Sequence, residues 1–88
     1  MPYIAQKDRE KFDALRILLR GMPPLDNKGE LEYVTYLLML KFMSSRENKY
    51  TPLHEAVYAP VHAAHEFERH FLDKRENDAE QKNGHIEL

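Results

Sequence analysis

Apolar residues recur along this chain at three- and four-residue steps, the spacing of one helical face, and not at the two-residue alternation of a half-buried strand. The first such stretch predicts a helix over about Lys7–Arg20. Phe12, Leu15, Leu18 and Leu19 share a face, with Ile17 beside it, and Asp8, Arg9, Glu10, Lys11 and Asp13 fall mainly opposite. Gly21 suits the position just past the helix end, and Pro23-Pro24 prevent continuation. The second stretch predicts a helix over about Lys28–Ser45, capped by Asp26 or Asn27, with Glu30 and Glu32 at the positive end of its dipole. Here the apolar residues run almost all the way round: Leu31, Val34, Leu38 and Phe42 form one stripe, Leu37, Leu40 and Met43 widen it, and Tyr33, Tyr36 and Met39 extend it. Strand is the competing reading for 33–43, but the length of the run and its Leu and Met content favour helix. A helix so apolar is central, or faces both its own core and another subunit. Two flanking helices cannot cover every side, so the second option is preferred.

The third helix is expected to open at Thr51-Pro52, with Thr51 as cap and Pro52 at the first helical position. Leu53, Val57, Val61, Ala64, Phe67 and Phe71 supply its seam. Pro60 removes a backbone donor and crowds the preceding turn, which predicts a kink or split near Pro60. The helix is expected to end at about Glu76. Residues 77–88 read as a polar tail with a turn at Asn83-Gly84. The expected fold is therefore all-α: a compact three- to four-helix domain over residues 1–76, followed by the tail.

Composition narrows the function classes. The chain has 88 residues, 13 basic and 15 acidic, a net charge of −2 and no cysteine. A length of this order holds one small core. The charge balance argues against a general nucleic-acid binder. The absence of cysteine removes a disulfide scaffold, a thiolate metal site and a thiol nucleophile. Leu37–Leu40 is the longest apolar run, Lys41 interrupts it, and nothing approaches the roughly 20 residues of a bilayer span. The N-terminus shows neither an apolar signal core nor a cleavage site, so a cytoplasmic location is expected.

Candidate chemistry is sparse. His62, His65 and Glu66 are neighbours on one helical face, with Glu55 two turns earlier, and His and Glu at this spacing could offer two or three ligands to a divalent metal. The competing reading is a solvated helix face with local His–Glu pairs. An all-helical nucleotide pyrophosphohydrolase would need facing carboxylates for Mg²⁺. Glu30 and Glu32 are spaced i,i+2 and diverge, and the third helix carries no Glu-x-x-Asp. No Ser-His-Asp set and no glycine-rich phosphate loop is present, so no catalytic residue is assigned. Tyr33 and Tyr36, with Arg16, Arg20, Lys41, Arg46 and Lys49 nearby, could contact a nucleotide or single strand. The alternative, edge-of-core tyrosines flanked by snorkelling cations, is preferred.

Three blocks carry a resemblance. Met1-Pro2-Tyr3-Ile4 with Gln6-Lys7-Asp8-Arg9-Glu10, then Gly29-Glu30-Leu31-Glu32-Tyr33-Val34, then Glu66-Phe67-Glu68-Arg69-His70 with Asp73-Lys74 and Asn83-Gly84-His85-Ile86, follow one another at characteristic spacing. Together they resemble a family of small uncharacterised proteins from phages, prophages and bacterial genomes. The resemblance implies a small helical domain with no assigned activity, and points to an accessory protein of a mobile element. Polar residues within the blocks are candidate binding positions: Glu30, Tyr33, Glu66 and Arg69, with Tyr36 one turn beyond. Glu30 is expected to reach Arg69 across the helix pair, as a ligand contact or as a structural pair. The leading expectation is a non-enzymatic protein that works by protein–protein contact and self-association, as a homo-oligomer, without a cofactor. The alternative is a metal- or nucleotide-binding helical protein, a hydrolase being one form of it, using the His62/His65/Glu66 face.

Overall fold

The computed structural model describes residues 2–88. Met1, the first residue of the N-terminal sequence block, lies outside them. The described chain is all-helical and forms three helical rods. The first comprises α1 (Gln6–Arg9), a tighter 3₁₀ turn over Glu10–Phe12, and α2 (Asp13–Gly21). The second is α3 (Lys28–Met43). The third runs from α4 (Tyr50–Phe67) through a wide π turn over Glu68–Leu72 into α5 (Asp73–Asn83).

Each boundary has a local cause. Met22 follows α2 in an extended conformation (φ −78°, ψ 160°), as a residue before proline must. Its N–H donates to the Leu18 carbonyl and closes the last turn, so Gly21 is the final helical residue and not the one beyond it. Asn27 caps α3: its backbone is extended, and its side-chain oxygen accepts from the Glu30 N–H at 2.9 Å. Glu30 returns the favour one residue further out, accepting from the Asp26 N–H at 2.8 Å, a variant of the capping box. At the other end of α3 the Arg46 guanidinium donates to the Phe42 carbonyl and lies 3.6 Å from the Phe42 ring centre, so one cation serves both the helix dipole and an aromatic face.

The third rod departs from expectation in three ways. Its cap is Lys49, not Thr51, which places Pro52 third in the helix. That position still lies in the first turn, where the missing N–H has no intrahelical partner to lose. Of the kink or split expected near Pro60, the split is absent, and α4 runs through the proline. The irregularity falls instead at Glu68–Leu72, where the ladder widens to π bonding while Phe67 and Phe71 stack at 4.7 Å. Helix also continues beyond Glu76 to Asn83, so half of the expected tail is α5, a helix polar on every side. It ends at Gly84, whose φ of +97° an L side chain rarely adopts.

The rods do not close on one another. Extensive helix–helix packing is confined to α3 against α4, a hairpin joined through residues 44–49, while α2 packs on the turn that precedes it. The radius of gyration is 17.1 Å, against about 12 Å for a compact chain of this length. Ala56, at 7% exposed, is the only buried residue among those described. The expectation of a compact domain is therefore corrected. The apolar circumference foreseen for α3 is real, and Leu31, Leu37, Leu38 and Leu40 are all exposed.

Candidate functional site

Two features stand out, one polar and one apolar. The polar one joins the N-terminal segment to the end of α4. The Tyr3 hydroxyl donates to Glu66 Oε1 at 3.0 Å and lies 2.7 Å from His70 Nε2. Arg69, one helical turn beyond Glu66, donates to the same carboxylate at 2.6 Å, and His70 Nε2 is 3.0 Å from it. Helical spacing makes this possible: 66, 69 and 70 are i, i+3 and i+4, hence one surface patch. The Glu66 side chain is 15% exposed. Its carboxyl is held at about 2, chiefly by the Arg69 hydrogen bonds, with further help from Tyr3 and the charges of Arg69 and His70 outweighing the opposing effect of partial burial. The same contacts push the Tyr3 hydroxyl up, because Glu66 accepts its proton and repels its anion. Arg69 is pushed up by Glu66 in turn. The result is a strap: residues 2–4 are pinned to the end of α4 beside a shallow hollow of about 250 Å³ bordered by Pro2, Ala63 and Phe67.

Glu66 and Arg69, both singled out in the sequence, thus meet, but as neighbours on one helix. Glu30 does not reach Arg69, because the capping of α3 occupies it. Gly29 belongs to that cap: a Cβ there would stand 3.3 Å from Asn27 Oδ1. Tyr33 and Tyr36 are both exposed and border different hollows, Tyr33 beside Pro23 and Pro24, Tyr36 beside Lys28 and Met39. They do not form one platform. His62 and His65 stay at the surface while Glu66 turns to Tyr3, Arg69 and His70. Among the described residues no three His, Asp or Glu side chains gather around one point. Tyr3 and His70 are the members of the cluster that sequence reasoning missed. Their only signal was membership of the terminal blocks, since 63 positions separate Tyr3 from Glu66.

The apolar feature is a groove of about 550 Å³ between α3 and α4. Leu31, Leu38, Met39 and Phe42 form one wall, and the small residues of α4 from Ala56 to Ala64, with Pro60 among them, form the floor. Glu55 is the one charged residue on its border. No residue of α2 enters it. Chemically the groove offers dispersion and desolvation, and no array of polar groups to orient a reacting molecule. Among the described residues no helix is long and apolar enough to cross a membrane.

Comparison with known proteins adds one result. No curated protein matches the chain, and no solved structure does. A domain of unknown function, DUF6899, matches residues 1–86, and the chain belongs to that family.

Proposed function

We propose that this is a small non-enzymatic accessory protein of phage or prophage type, acting in the cytoplasm through self-association and contact with another protein. One observation carries the reading. The chain exposes 8435 Å² of surface, whereas a folded monomer of its mass exposes about 5,400 Å². The surplus is about 3,000 Å², and Leu, Phe and other large apolar side chains from every rod are exposed. Monomeric soluble proteins rarely leave contiguous apolar patches of more than a few hundred Å² in water, so such a surface calls for a covering chain. The phage or prophage origin rests on the three sequence blocks. The polar strap supports the same reading: its carboxylate, cation and hydroxyl satisfy one another, which is the behaviour of a structural clamp.

Sedimentation equilibrium at micromolar concentration tests the proposal. The expected mass is that of a dimer or larger assembly. A monomer that binds no hydrophobic dye overturns it.

A further inference from the structure

We infer that the groove between α3 and α4 is filled by α2 of a second copy of this chain, in a reciprocal exchange that closes a two-fold dimer. The inference rests on the self-association proposed above and names its contact.

Four observations converge on it. First, α2 is strongly amphipathic yet packs extensively against neither α3 nor α4: Leu15, Leu18 and Leu19 are exposed, Leu18 at 63%. Second, lengths match. Nine helical residues span about 13 Å, and the floor from Ala56 to Ala64 runs about 12 Å along α4. The alanines let a visiting helix approach closely while its leucines meet Leu38, Met39 and Phe42. Third, charge is complementary. Arg16 and Arg20 flank the stripe of α2 one turn apart, Glu55 borders the groove, and none of the three forms an ion pair among the described residues. Fourth, the connection between α2 and α3 is stiff: Met22 is extended and Pro23-Pro24 follow it.

Area is compatible with this arrangement. A side-by-side interface of standard size buries about 1,600 Å² over both partners. The surplus here is about 3,000 Å² over the whole chain, polar α5 included, which leaves room for an interface larger than that. Exchange also satisfies closure: each copy gives one helix and receives one, so no groove is left to propagate a fibre.

The chain has no cysteine, so introduced thiols are unique reporters. The test mixes Leu18→Cys protein with Ala59→Cys protein, oxidises mildly, and reads non-reducing gels. A second donor, Leu15→Cys, repeats the experiment from the same stripe, and Ile17→Cys, off the stripe, is the control. Each variant is first shown to sediment as the unaltered chain does. The expected result is a disulfide heterodimer from Leu18→Cys or Leu15→Cys with Ala59→Cys, several-fold in excess over that from Ile17→Cys. Equal yields from Ile17→Cys overturn the inference, and so does a Leu18→Cys/Ala59→Cys double variant that closes within one chain at monomer mass. In either case an unaltered dimer mass leaves the self-association reading standing. A monomer mass for the unaltered chain removes both.

Discussion

Single side chains fix the ends of these rods, and two of them yield direct predictions. Asn27 accepts from the Glu30 N–H at the start of α3, and its amide also donates to the Glu30 carboxylate that reaches Asp26. Replacing it with alanine, Asn27→Ala, is expected to cost about 1 kcal/mol, a fall in melting temperature of about 4–8 °C for a domain of this size. Calorimetry of the two proteins at equal concentration reads it. An unchanged melting temperature would show that the cap carries no weight in the assembled protein. Glu66 sets a pH window. Its carboxyl sits at about 2 in the folded chain, below its ordinary 4.5, so its grip on the strap is complete above pH 4.5 and drains away as pH falls toward 2. Tyr3 is shifted the opposite way, upward from 10.0, so its contribution is complete below pH 10 and is lost at higher pH. The Tyr3 ring resonances, followed by NMR in a His70→Gln variant that removes the neighbouring imidazole, should therefore hold steady from pH 5 to 9 and move at both extremes. Release of the ring near neutrality would mean that this carboxylate is not the anchor.

Whole elements show what local pattern can and cannot reveal. The rods were legible because apolar residues at helical spacing, a capping asparagine and proline breaks are all local signals. Their irregularities were less so. Pro60 looked like a break because proline removes the donor to the Ala56 carbonyl, yet α4 continues and the rod instead widens at Glu68–Leu72. The strap was illegible for a different reason: no periodicity connects Tyr3 to residues 66–70, and only the folded chain brings them together. Tolerated or not, the proline still withholds a helical hydrogen bond. Pro60→Ala is expected to raise stability by about 1–3 kcal/mol and leave helical content at or above its present level, measured by chemical denaturation and circular dichroism. A loss of stability would show that the proline ring packs in the groove to more effect than the hydrogen bond it removes.

At the level of the molecule, the openness of the three rods was invisible in the sequence. Composition and periodicity describe what each helix wants to cover, and do not say which chain covers it. Here the hairpin of α3 and α4 hides Ala56 and little else. Stability drawn from association makes melting depend on concentration. Raising protein concentration a hundredfold is therefore expected to raise the melting temperature by several degrees, with helix loss and dissociation coinciding. A melting temperature independent of concentration would place the stabilising contacts inside one chain.

The near-absence of an interior has a bearing on how such a gene product survives in a cell. Under the self-association proposed above, a polypeptide that keeps one alanine dry by itself would be fully formed only where copies are plentiful. Expression level would then act as a structural variable, with abundant synthesis giving durable assemblies and trace synthesis leaving open rods for proteases to clear.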